Sequence, residues 1–196
     1  MRALRDQPQI DSDIGALLAA REERAWLQKY LLRALCGFGG CVVQFSLNIP
    51  GWPKRLDGDT PALRACAEIF TKRTGDLASP IAVFSLTNAA GAAIISAFSA
   101  YGGDFDLRLR LKSAAVQIEE DFEWGRVLDI DVIAIDGPLS RSLAGIAARR
   151  CFFCGEDAKI CARTQAHPIT ELRGRAGALI RLAASDNPVS FARKPE

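Results

Sequence analysis

A chain of 196 residues, 49% hydrophobic and 24% charged, can bury roughly two-thirds of its unfolded surface in one core, which excludes a mainly disordered chain. Its formal net charge of +2 is far from the strongly basic profile of a protein that mainly holds nucleic acid. No run approaches the ~20 apolar residues of a membrane span, and Met1 to Ile10 mixes charged and polar residues where a secretory signal would be apolar. Neither a membrane nor a nucleic acid is therefore expected as a partner. Six cysteines are too few for a disulfide scaffold, so a cytoplasmic chain with free thiols or metal ligands is expected.

In chain order, Asp11, Ser12 and Asp13 are set to cap a helix whose apolar residues Ile14, Leu17, Leu18, Ala25, Leu27, Leu31, Leu32 and Leu35 recur at helical intervals. Gly37, Gly39 and Gly40 end it. Cys41 to Leu47 is β-branched and apolar, a strand, and Asn48-Ile49-Pro50-Gly51-Trp52-Pro53 turns the chain. Pro61 to Thr74 is a second helix. Ile81 to Leu86 and Ala92 to Phe98 flank Asn88-Ala89-Ala90-Gly91, a hairpin pattern, with helix as the competing reading of the alanine-rich second run. Phe105 to Leu111 alternates apolar and charged residues as a strand does, and Lys112 to Glu120 either continues it or turns helical. Val127 to Ile135 alternates apolar residues with Asp129 and Asp131 and stops at Asp136-Gly137-Pro138, a strand and its turn. A helix is expected from Pro168 to Ala184, and the tail from about residue 187 reads as loosely ordered. With no repeat or linker, the pattern predicts one α/β (α+β) domain over residues 1–196, a mixed sheet with flanking helices, of nucleotidyltransferase-like character.

Two features carry chemistry. In Gly125-Arg126-Val127-Leu128-Asp129-Ile130-Asp131-Val132, residues two apart on a strand share a face with Cα atoms roughly 6 to 7 Å apart. Asp129 and Asp131 can thus approach one magnesium ion or a pair of them, and magnesium on a polyphosphate is what nucleotidyl-type transfer requires. Gly125 would let backbone approach the phosphates. The competing reading of an Asp-x-Asp strand is a solvated face, against which the apolar flanks speak, since two adjacent carboxylates among them need a cation or arginines as compensation. The second feature is Cys151, Cys154, Cys161 and His167, enough for a tetrahedral structural zinc. The alternative is packed thiols with His167 at a helix start.

Taken together, these residues resemble the citrate lyase holo-[acyl-carrier-protein] synthase family, the apo-citrate lyase phosphoribosyl-dephospho-CoA transferases. The family pattern Gly-Arg-Leu-x-Asp-Ile-Asp-Val, Leu-Ser-Arg, Arg-x-Cys-x-x-Cys, Cys-Ala-Arg, His and Glu/Asp-Leu is matched by Gly125 to Val132, Leu139-Ser140-Arg141, Arg150 to Cys154, Cys161 to Arg163, His167 and Glu171-Leu172. Weaker likeness extends to Arg21-Glu22-Glu23-Arg24 and to Asn48, Pro50, Gly51 and Lys54. Where the family has His-Pro-Leu before Gly-Arg, this chain has Phe122-Glu123-Trp124.

The resemblance implies transfer of the phosphoribosyl-dephospho-CoA unit from triphosphoribosyl-dephospho-CoA to a serine of the citrate lyase acyl carrier subunit, with release of pyrophosphate. Asp129 and Asp131 would hold magnesium. Arg126 and Arg141, bracketing their strand, would hold phosphate, and the resemblance alone adds Arg21, Arg24 and Lys54 for the coenzyme portion. Lys112 and Glu119 match family types, although a solvated ion-pair face is the expectation for them. Two other readings stay open: a non-catalytic carrier-protein or cofactor-binding module, and a related transferase acting on another carrier protein.

Overall fold

The computed structural model describes residues 7–36, 39–99 and 105–185; the expected loose tail lies outside them. Helix α1 runs from Gln7 to Leu31 and ends in a wide turn of π geometry, Leu32–Cys36. Asp11, Ser12 and Asp13 lie inside α1 and do not cap it, because Pro8 already occupies its first turn, where a missing backbone N–H costs nothing.

Strands β1 (Cys41–Leu47), β2 (Ala82–Asn88), β3 (Gly91–Phe98), β4 (Leu128–Ala134) and the short β5 (Gly137–Pro138) form one sheet in the order β2-β3-β1-β4-β5. Every pairing in it is antiparallel, where a mixed sheet was expected. The hairpin reading of Ile81–Phe98 holds, and β3 is buried at every position because both its faces are covered.

Helices α2 (Asp59–Thr74) and α3 (Phe105–Asp121) pack on one face, against Val43 and Phe45 of β1, Ile94 and Phe98 of β3, and Leu128, Ile130 and Val132 of β4, and α5 (Ile169–Ser185) completes the same core by packing on α2 and on the Trp124–Val127 turn. On the opposite face Leu27, Leu31 and Leu32 lie on Val42, Ile95 and Ala97. The β1–β4 register puts Gln44 opposite Asp131 and Ser46 opposite Asp129, so the sheet face under α1 is apolar at one end and polar at the other.

The strand expected over Phe105–Leu111 is instead the first half of α3. Leucine and arginine favour helix over strand, and the buried set Leu107, Leu111, Ala114, Ala115 and Ile118 repeats at three to four residues. Lys112 and Glu119 are likewise not solvated: both are 5% exposed. The Lys112 ammonium donates to Ile130 O at 3.2 Å, and Glu119 accepts the Ile130 N–H at 2.9 Å. Where β5 is too short to pair with β4, these two side chains satisfy the strand's free edge.

Candidate active site

Asp129 and Asp131 share the face of β4 that turns toward α1, while Ile130 between them is core. Burial pushes the Asp131 carboxyl up to about 6, with the Asp129 and Glu119 carboxylates adding to the effect and Lys112 and Arg149 opposing it. Asp129 is the more open of the two, its side chain 48% exposed.

Asp129 stands at one end of a cleft of about 290 Å³ lined by Arg21, Arg24, Gln28, Gln44, Lys54 and Ala90, among others. The structure therefore brings Lys54, distant in sequence, into the same cleft as Arg21 and Arg24, one helical turn apart on α1, and one of the paired carboxylates lines it with them. Burial and the nearby cations Arg21 and Arg173 lower the Lys54 ammonium, which donates to Ile49 O at 2.8 Å. Arg24 is 8% exposed; it donates to Gly91 O at 2.7 Å and to Asn88 Oδ1 at 3.2 Å, while its buried Nε has no partner. Three cations thus line one cleft with a half-exposed carboxylate, which makes the local field attractive to anions. Arg173 of α5 shapes this wall from behind, donating to Pro50 O and Pro53 O at 2.8 and 2.9 Å and so pinning the turn that carries Lys54.

Arg126 and Arg141 belong to a second cleft, also about 290 Å³, with Glu119, Glu120, Arg149 and Arg150. Arg141 is committed to Glu119 and, at 2.9 Å, to Glu120; its bond to Glu119 steadies the carboxylate that holds Ile130. Gly125 is buried against α3, where a Cβ would meet the backbone carbonyls of Ile118 and Glu119; its close approach is to that helix. Phe122 stacks on Trp124 with ring centroids 4.5 Å apart, Trp124 is 1% exposed, and Glu123 pairs with Arg175 at 2.9 Å. At the departure from His-Pro-Leu, then, Trp124 enters the core, Phe122 packs against it and Glu123 stays exposed.

Sequence reasoning missed Arg149. Its Nη1 lies 3.1 Å from Asp129 Oδ1 and its Nη2 3.8 Å from Glu119 Oε1. An arginine in Ala147-Ala148-Arg149-Arg150 carries no local signal, and only the packing of this segment beside β4 marks it.

Cys151, Cys154, Cys161 and His167 converge, their ligand atoms all within 4.8 Å of one another; Cys154 and Cys161 sulfurs are 3.5 Å apart. Cys151 opens a tight turn in which Gly155, at φ +81°, donates to Cys151 O at 3.0 Å. Helix α4 (Ala158–Thr164), capped by Asp157, delivers Cys161. Burial opposes the Cys151 thiolate, yet hydrogen bonds from the backbone of Cys154 and Phe153 and from the Cys154 and Cys161 thiols hold its pKa below the ordinary value. His167 Nε2 is buried without a partner. Sulfurs on a tetrahedral zinc sit about 3.8 Å apart, so the donor set and the orphaned nitrogen fit such an ion. Among the described residues this is the one group of three or more candidate ligands, and the magnesium reading rests on the Asp129–Asp131 pair alone.

Among the described residues no helix is long and apolar enough to cross a membrane. The fold is a single α+β domain with a five-stranded antiparallel sheet, one of whose paired strand carboxylates, Asp129, lines a cleft with Arg21, Arg24 and Lys54. The chain belongs to the apo-citrate lyase phosphoribosyl-dephospho-CoA transferase family, whose model matches residues 12–182. It is 30% identical over 169 residues, 82% of this chain and 81% of the relative, to a Streptococcus pyogenes protein named "probable apo-citrate lyase phosphoribosyl-dephospho-CoA transferase". A Vibrio cholerae protein of the same name is 29% identical over 175 residues, covering 84% of this chain and 89% of the relative. A Haemophilus influenzae protein, "Protein CitXG", is 33% identical over 81% of this chain, which spans 33% of that longer relative.

Proposed function

We propose that this chain is a cytoplasmic transferase that moves the phosphoribosyl-dephospho-CoA unit from its triphosphoribosyl precursor to a serine of the apo acyl carrier subunit of citrate lyase, in a nucleotidyltransferase-type reaction. One observation supports the reading most: Asp129 faces a cleft walled by Arg21, Arg24 and Lys54, in a chain of this family.

The residues divide the work. Arg21, Arg24 and Lys54 hold the phosphates of the coenzyme portion by charge-assisted bonds. Asp129 and Asp131 would hold magnesium, a pair suited to an ion that keeps most of its waters and takes the rest of its ligands from substrate phosphate. Bound there, magnesium would neutralise charge on the transferring phosphoryl group and on the departing pyrophosphate. The serine oxygen bonds to the α-phosphorus, the α–β bridging bond breaks, and the serine proton passes to the Asp129–Asp131 pair. Arg126 contacts phosphate directly, and Arg141 acts through Glu119 as a positioning residue. Cys151, Cys154, Cys161 and His167 would hold a structural zinc, which would fix the Arg149–Cys151 segment beside β4.

The test is the carrier's mass. With precursor and magnesium, apo acyl carrier subunit should gain the prosthetic group, and Asp129→Asn should abolish the gain while leaving the far-ultraviolet circular dichroism unchanged. A carrier left unmodified under conditions where an established family member modifies it would instead favour a non-catalytic binding module.

A further inference from the structure

We propose that the second cleft is a pyrophosphate site and that Arg149 is its movable arm, released when a cation takes Asp129. This rests on the reaction proposed above and adds where the leaving group goes.

An ion pair links a residue of each cleft: Asp129 lines the first and Arg149 the second, and their side chains are in contact at 3.1 Å. Arg149 is half-satisfied there. One guanidinium nitrogen holds Asp129, while Nη2 is buried without a hydrogen bond, 3.8 Å from the nearest Glu119 oxygen. A buried N–H left without a partner is unfavourable, so Arg149 gains by finding a further anion once a cation has replaced it at Asp129.

The second cleft offers it an anion. Of the four arginines there, Arg141 is engaged by Glu119 and Glu120, and Arg150 reaches Gly155 O at 3.4 Å. The cleft's four guanidinium groups outnumber its two carboxylates, Glu119 and Glu120, both of which Arg141 holds, so an excess of positive charge stays in the cleft even with Arg149 3.8 Å from Glu119. A guanidinium fork matches two phosphate oxygens at once. A divalent cation on Asp129 competes with Arg149 for the same carboxylate and repels it, which turns the arginine toward the second cleft and joins the two clefts into one groove past Asp129. The coenzyme portion lies on the Arg21 and Lys54 side. When the serine–phosphorus bond forms, the β- and γ-phosphates leave with the bridging oxygen's electron pair as pyrophosphate into the Arg126 and Arg149 side. The only co-reactants are those already named: the serine hydroxyl, the precursor and the cation.

Isothermal titration of the full-length chain tests this without turnover. With magnesium present, pyrophosphate should bind the wild type, and Arg149→Ala should weaken it on the order of tenfold or more, the loss of a charge-assisted pair. Arg149→Lys, which keeps the charge and loses the fork, should fall between, and circular dichroism checks that both variants fold. Magnesium alone should bind Arg149→Ala more tightly than wild type, because its competitor for Asp129 is gone. Arg21→Ala should leave pyrophosphate affinity within about twofold while weakening the precursor, since it contacts only the first cleft. Pyrophosphate affinity unchanged in Arg149→Ala, magnesium affinity unchanged or weakened in that variant, or equal loss of pyrophosphate in Arg21→Ala would each overturn the proposal. The outcomes separate from the transfer reaction: modification of the carrier with Arg149 indifferent to pyrophosphate removes this site alone, whereas pyrophosphate binding as described without carrier modification removes the transfer reading alone.

Discussion

Replacing Asp131 by Asn should stabilise the protein at neutral pH and destroy its activity. Burial, the Asp129 charge and Glu119 raise the Asp131 carboxyl from its ordinary 3.8 to about 6. At 1.36 kcal/mol per pKa unit the shift corresponds to ~3 kcal/mol, or ~2 kcal/mol after allowance for partial solvent access. The sign follows from linkage. Below pH 4 the carboxyl is protonated in both folded and unfolded chains and costs nothing. Between about pH 4 and pH 6 the unfolded chain ionises while the folded one keeps its proton, so wild type loses stability as pH rises, and above that the full cost stands. Asparagine carries no such burden. Urea unfolding of both proteins at pH 4, 5, 6 and 7, without added magnesium, should give a stability difference that moves in favour of Asp131→Asn by about 2 kcal/mol across the window. Magnesium at pH 7 should then raise the midpoint of wild type and not of the variant, because only the intact pair binds it in the folded state. A difference independent of pH would refute the burial and charge argument, and an equal response of both proteins to magnesium would refute the metal assignment.

Arg141→Ala should cost ~3 kcal/mol in urea unfolding, because it strands the buried Glu119 carboxylate; Arg126→Ala should stay within ~0.5 kcal/mol of wild-type stability yet lower kcat/KM by an amount equivalent to ~1.5–3 kcal/mol, the range for a charge-assisted bond to phosphate. Equal stability of the two variants would contradict the separate roles given to these arginines. Elemental analysis of protein purified without chelator should find zinc near one equivalent, and Cys161→Ser should lower both zinc content and Tm; zinc far below stoichiometric, with Cys→Ala costing only ~1 kcal/mol, would leave packed thiols. Gly125→Ala should lose ~1–3 kcal/mol because its Cβ meets the carbonyls of Ile118 and Glu119, and an unchanged urea midpoint would show that α3 yields at that point.

The sequence by itself settled the elements whose patterns are local. Strands β1 and β4, the β2–β3 hairpin, α2 and α5 all follow from period and turn residues, because a strand with one face buried or a helix with one apolar stripe writes its geometry into neighbouring residues. The same locality made Asp129 and Asp131 readable as one face and the Cys/His set as one cluster. It misled at α3, where the strict alternation of Phe105–Leu111 imitates a strand while the burial of Leu107, Leu111, Ala114, Ala115 and Ile118 obeys the helix. What only the tertiary structure decided is which distant groups meet. Lys112 and Glu119 are buried because β4 lacks a full neighbour on that edge. Arg21 and Arg24 share a cleft with Asp129 because α1 crosses the polar end of the sheet, and Lys54 joins them from the turn that Arg173 pins. Arg149 reaches Asp129 because the Cys/His turn holds its segment there. Each of these joins residues separated by many positions along the chain, and the free energy that selects them comes from packing and desolvation of the folded whole, which no local pattern records.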